Sequence, residues 1–162
     1  MSIRNLAIIG ERINPGFKSS KALLDARDLK GLQALAVSQV GKGARYLTIN
    51  VGDAATGDTP FLVDLIRAVQ DVVSVPLSFD YPHRSVQEIC LSTFDAAKAG
   101  GAKPIVNSVS ELRMDMLKLC GIQPFRLVLM ASERVENGTE LPNRTAPEIA
   151  QHCPLLAEAL RH

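Results

Sequence analysis

Apolar residues along this chain follow two alternating rhythms. Short apolar runs begin near Leu6, Tyr46, Val75, Pro104 and Arg126, and the segments between them carry apolar residues three and four apart. Leu29, Leu32, Leu35, Ala36 and Val40 keep helical spacing, and Gly41 with Gly43 ends that helix before a strand from Tyr46 to Val51. Thr59-Pro60 opens a second helix carrying Leu62, Leu65, Ile66 and Val69, with proline in the first-turn position it tolerates. Ser85 with Glu88 spells a capping box for a third helix, which Gly100-Gly101 should terminate. Ser110 is placed to cap a fourth. Thr145 with Glu148 repeats the capping box for a last helix, which Pro154 should kink or break. Asn137-Gly138 reads as a tight turn after the fifth strand.

A strand-then-helix unit repeated in this way builds either an open doubly wound sheet or part of an eight-stranded barrel. A nucleotide-binding open sheet calls for a glycine-rich turn after its first strand, where this chain has Gly10-Glu11-Arg12-Ile13-Asn14-Pro15. Gly41-Lys42-Gly43 leads into a strand and reads as a helix stop. In both folds ligands bind at the carboxyl ends of the strands. There the chain places Asp80, closing the run Val75-Pro76-Leu77-Ser78-Phe79, and Asn107, closing Lys103-Pro104-Ile105-Val106. If the two strands are adjacent and parallel, a carboxylate stands beside a carboxamide, a pair suited to a flat heterocycle with several N–H and C=O groups. An Asp or Asn at a strand exit also serves as a helix cap or turn former.

Composition narrows the partners. A chain of 162 residues, 46% hydrophobic and 22% charged, buries one good core and reads as one domain. Its 18 basic and 17 acidic residues are intermixed and leave a net charge of +1, which argues against nucleic acid or an anionic membrane surface as partner. Met1-Ser2-Ile3-Arg4-Asn5-Leu6 leads directly into an apolar strand with no secretory or membrane-spanning pattern, so a cytoplasmic location is expected. Cys90, Cys120 and Cys153 stand singly, without the paired spacing of a disulfide framework or metal site. His152 and His162 are too scattered for zinc, and His83 reads as a solvated loop histidine.

Four motifs, taken together and in order, carry a resemblance. Gly10-Glu11-Arg12-Ile13-Asn14, Ile49-Asn50-Val51-Gly52, Phe79-Asp80 followed by Pro82, and Ile105-Val106-Asn107-Ser108-Val109-Ser110 resemble the methyltetrahydrofolate:corrinoid-protein methyltransferases. These are pterin-binding TIM barrels related to dihydropteroate synthase and to the folate domain of cobalamin-dependent methionine synthase. The resemblance runs from about Asn5 to about Met130 and fades between Ala131 and Arg144, where Glu133, Arg134 and Glu136 depart from it. It implies an α/β fold, a (β/α)8 barrel of the pterin-binding type with about its first five units present. Residues 1–162 would then be a single, incomplete barrel domain. The implied activity is methyl transfer between tetrahydrofolate and the cobalt of a corrinoid protein, as in acetogenic or O-demethylase one-carbon metabolism. The cofactors would be methyltetrahydrofolate or tetrahydrofolate, and cobalamin carried by that partner. Asp80 and Asn107 fall on the family's pterin anchors, and Asn50, Glu11 and Asn14 line the same mouth.

The departures matter as much. A complete barrel takes about 250 residues. Roughly three units are therefore absent, and with them the family's Asp after strand six and Asn after strand seven, so the catalytic residues are expected outside these 162 residues. Thr48 replaces an acidic residue, and Tyr81-Pro82-His83-Arg84 replaces a Ser-Pro-Asn type loop, which suggests a changed corrinoid partner or methyl donor. An open arc would expose apolar edges near Leu6–Ile9 and Leu127–Met130 with no charge inside them. The chain then reads as a fragment, or as a sheet whose edges are covered by a partner or a second copy, with a homodimer expected. Two other functions fit the same residues. One is a dihydropteroate synthase-like enzyme, disfavoured by Asn14-Pro15-Gly16-Phe17 in place of that family's first-strand motif. The other is a non-catalytic pterin-binding or interaction subunit.

Overall fold

Alternation of side chains across each strand divides the sheet into an apolar and a polar face. The computed structural model describes residues 6–159. Its β1 (Ile9–Ile13), β2 (Tyr46–Ile49), β3 (Leu77–Asp80), β4 (Ile105–Val109) and β5 (Arg126–Leu129) form one parallel sheet. Leu47, Ile49, Leu77, Phe79 and Val106, every second residue, are fully buried. They face the helices: Phe79 meets Phe94 edge to face at 6.2 Å, and a Cβ on Gly10 would strike Gln39 Oε1 at 2.7 Å. Thr48, Asn50, Ser78, Asp80 and Asn107 have the opposite parity and share the other face.

Strand order settles a choice that periodicity left open. The strands run β1-β2-β3-β4-β5 without reversal. A doubly wound sheet reverses at its switch point, so that alternative falls away and the order is the one a barrel wall uses. Right-handed crossovers advancing in one direction lay their helices on one side of the sheet. The helices are α1 (Lys18–Asp25), α2 (Leu29–Gly41), α3 (Ala54–Gly57), α4 (Thr59–Gln70), α5 (Arg84–Thr93) and α6 (Ala146–Ala159). Among them α2 packs on α4, and α4 on α5. In α4, Leu62, Leu65, Ile66 and Val69 are completely buried, as their spacing predicts, each contributing about 1.5–3 kcal/mol of hydrophobic stabilisation.

Local signals are realised where the bonds they need are local. Asp58 caps α4, accepting from Phe61 N at 3.3 Å with Pro60 in the first turn. Glu148 accepts from Thr145 N at 2.8 Å while Glu148 N donates to Thr145 Oγ1 at 3.4 Å, completing the capping box of α6. Asn137 and Gly138 adopt φ of 52° and 76° and join β6 (Glu133–Glu136) to β7 (Thr139–Pro142) in an antiparallel hairpin.

Other expectations are corrected. The first strand begins at Ile9, not Leu6. Leu6 and Ile8 are exposed, and residues 1–5 and His162 lie outside the described residues. With that shift β1 carries exposed Glu11 and Arg12, and β5 begins with exposed Arg126, so both end strands hold charges. The third helix is capped at His83 rather than Ser85 and ends at Thr93, well before Gly100-Gly101. Gln70 captures the chain there: its Nε2 donates to Asp95 O at 2.9 Å and its Oε1 accepts from Asp95 N at 3.0 Å, which draws Asp95 out of helical pairing. The fourth helix is a 3-10 segment, Glu111–Gly121, broken at Arg113, and the Ser110 hydroxyl donates to Glu133 instead of capping it. Pro154 sits inside α6 without ending it, at a place where only the Ala150 carbonyl loses its helical donor. Helix α1 and the β6–β7 hairpin were not foreseen as elements.

Candidate functional site

Asn50 just past β2, Asp80 at the end of β3 and Asn107 in β4 stand side by side, although β4 runs on to Val109 rather than closing at Asn107 as its sequence suggests. The register sets Asp80 opposite Asn107, the juxtaposition their positions predict. Asn50 follows β2 and donates from Nδ2 to Asp80 Oδ2 at 3.1 Å. Its own Oδ1 accepts from Gly52 N at 2.8 Å. Asn50, Asp80 and Asn107 are all half-buried, so they form a wall that a ligand can still reach. Beside it lies a cavity of about 220 Å³ lined by Asn50, Gly52, Asp80, Tyr81, Pro82 and His83.

The helix layer holds these exits from behind. Tyr81 OH accepts from Val51 N at 3.1 Å, tying the loop after β2 to the loop after β3. Burial pushes the Tyr81 phenol well above the ordinary tyrosine value; the neighbouring Cys90 thiol and Asp80 carboxyl reinforce the shift, and the Val51 bond opposes it. Gln87 on α5 donates from Nε2 to the carbonyls of Phe79 at 2.9 Å, Tyr81 at 3.0 Å and Asn107 at 3.4 Å. One pleat below the wall, register partners Thr48 and Ser78 are buried, and their hydroxyls have no hydrogen-bond partner among the described residues.

Not every predicted residue joins this group. Glu11 is exposed on β1, within the stretch where the β1–β2 register shifts between Gly10 and Ile13. Asn14 uses its side-chain oxygen locally, accepting from Gly16 N at 2.8 Å in the turn that leads to α1. His83 is exposed at the start of α5 and makes no side-chain cap bond. Tyr81 and Gln87 were missed as parts of the site. For Gln87 a signal existed, a long polar side chain within the buried stripe Val86, Cys90 and Leu91.

Chemically, the wall offers a carboxylate between two carboxamides. Asn50 occupies one acceptor position on Asp80 Oδ2, which leaves Oδ1 and a second lone pair on Oδ2 as acceptors, and Asn107 offers both a donor and an acceptor. Among the described residues no group of three His, Cys, Asp or Glu side chains is placed to hold a metal ion. No helix among them is long and apolar enough to cross a membrane. Beyond β5, Glu133 receives the Ser110 hydroxyl and pairs with Arg113 at 3.4 Å, which fixes the hairpin beside the β4 exit.

Comparison with known proteins follows the same line. No family model matches the chain. It is 30% identical over 105 residues to a methylcorrinoid:tetrahydrofolate methyltransferase of Eubacterium limosum, a match covering 65% of this chain and 36% of that protein. The chain is therefore similar to part of a protein named for methyl transfer between a corrinoid and tetrahydrofolate.

Proposed function

We propose that this chain is the pterin-holding part of a methyltransferase that moves a methyl group between tetrahydrofolate and the cobalt of a corrinoid protein. The observation that carries this reading is the Asn50–Asp80–Asn107 row across three neighbouring strands. The 30% identity to a methylcorrinoid:tetrahydrofolate methyltransferase supports it. A pterin presents an amino group and a ring N–H beside a carbonyl. Asp80 takes the donors as a charge-assisted pair, worth about 1.5–3 kcal/mol per bond, and Asn107 meets the adjoining edge. Asn50 orients the carboxylate, while Glu11 and Asn14 stand at the outer side of the mouth. In this reading β1 to β5 are one arc of a pterin-binding barrel, a single domain, closed by further strands or by a second copy.

The chemistry explains why holding the ring matters. The methyl sits on a tertiary amine, a poor leaving group, so its departure needs hydrogen bonding or protonation at that nitrogen. The corrinoid, delivered by its partner protein, supplies the cobalt nucleophile. This chain's part is to fix the ring edge so that the methyl-bearing nitrogen points out of the mouth.

Calorimetric titration with methyltetrahydrofolate tests the reading. Wild-type protein should bind, Asp80→Asn should weaken binding by at least about tenfold, the scale of one lost charge-assisted bond, and Asn107→Ala by about threefold to tenfold, the scale of a neutral one. A folded wild-type chain that does not bind, or variants that bind equally well, would overturn it. Methyl transfer to a reduced corrinoid protein by this chain would eliminate the non-catalytic pterin-binding reading.

A further inference from the structure

We infer that Gln87 is the positioning residue of this site, setting the spacing of Asp80 and Asn107 from the helix layer. Gln87 is completely buried on α5 and touches the main chain at three points. Its Nε2 donates to Phe79 O at 2.9 Å and to Tyr81 O at 3.0 Å, the carbonyls on either side of Asp80. The third acceptor, at 3.4 Å, is Asn107's own carbonyl. One carboxamide NH2, its two hydrogens shared among three carbonyls, therefore grips the backbone around one anchor and at the other, across two strands.

The grip falls where one strand ends and a neighbouring ladder is irregular. The β4–β5 register shifts between Asn107 and Val109, so the ladder is irregular at one anchor. Asp80 is the last residue of β3. Tyr81 lies past the end of β3, where a buried backbone carbonyl needs another donor, and Gln87 supplies it. Its Oε1 is buried without a partner among the described residues, a burden that an apolar side chain filling the same space would not carry. The donors are thus what distinguishes glutamine here from a filler. Two anchors that must meet two points on one rigid ring tolerate little change in spacing.

This assignment rests on the pterin-binding reading for its affinity test and is independent of it for a second test. Gln87→Met keeps the length without donors, and Gln87→Glu keeps the outline while removing the N–H groups. Both should bind methyltetrahydrofolate on the order of tenfold more weakly at a temperature where circular dichroism shows them folded, as when a group orienting a ligand-holding side chain is lost. On an Asp80→Asn background, Gln87→Met should weaken binding by less than about twofold more, because the anchor it positions is already impaired. Equal fold-losses on both backgrounds would reveal a merely structural role and overturn the assignment. If wild-type protein does not bind the folate, the functional reading fails, and the ligand-free test decides. Carbon-13 NMR of the Asp80 carboxyl and the Asn107 carboxamide should show both signals shifted or broadened in Gln87→Met, with Ile13 unchanged. Unmoved anchor signals would overturn it.

Discussion

Asn50 reaches across from β2 to hold Asp80: Nδ2 donates to Asp80 Oδ2 at 3.1 Å while Oδ1 accepts from Gly52 N at 2.8 Å. The carboxamide is thereby fixed in orientation, donor toward the carboxylate and acceptor toward the turn. In the proposed pterin-binding role, Asn50 would act on the ligand through Asp80.

Replacing Asn50 with Asp should turn this hydrogen bond into a repulsion. Two carboxylates this close cannot both ionise without strain, so one is driven to hold its proton at higher pH. Folate affinity measured by calorimetry should fall at neutral pH and recover in part as pH is lowered. Asn50→Ala should cost about 1 kcal/mol of affinity, with little pH dependence.

Gly52 adopts φ +63°, and a Cβ there would lie 3.1 Å from Pro15 Cγ. Gly52→Ala should destabilise the fold by about 1–2 kcal/mol through the left-handed backbone alone, read as a lower midpoint in urea. Because the Gly52 N–H orients Asn50, ligand affinity should fall as well.

Tyr81→Phe removes the acceptor of Val51 N in a buried setting and should cost about 1–3 kcal/mol of stability. The phenol also predicts a pH dependence. Its folded pKa is raised, chiefly by burial, above the ordinary 10.0. The unfolded chain therefore loses that proton first, so stability is intact below pH 10 and declines as pH rises above it. Urea midpoints of wild-type protein should fall in that window, and those of Tyr81→Phe should fall less.

Cys90 is buried, and that burial pushes its thiol far above the usual range. Cys120 and Cys153 are exposed. A maleimide at pH 8 should label the latter two in folded protein and reach Cys90 only after denaturation, as mass spectrometry of tryptic peptides would show.

Much of the fold was legible because its signals are local. A helix start needs a capping side chain within three residues, so Thr145-Glu148 could be read directly. A hairpin turn needs two residues that accept positive φ, so Asn137-Gly138 could be read too. The same holds for Asp80, whose place at a strand exit follows from the apolar run before it, but not for Asn107, which sits in the middle of β4 because pairing with β5 carries that strand on to Val109. The misread features depend on distant partners. The third helix stops where Gln70 binds Asp95, 25 residues away, and Ser110 turns from capping to Glu133, 23 residues away.

By itself, then, the sequence determined the alternation of strand and helix, which side chains share a face, and that Asp80 stands at a strand exit. Period and spacing are properties of a single stretch of chain. Only the tertiary structure decided that the strands follow one another without reversal, that Asp80 faces Asn107, and that Asn50 and Gln87 hold the pair. Those relationships depend on register and packing between segments tens of residues apart, and the free energy that selects them comes from burying Leu47, Ile49, Phe79 and Val106 together against the helices.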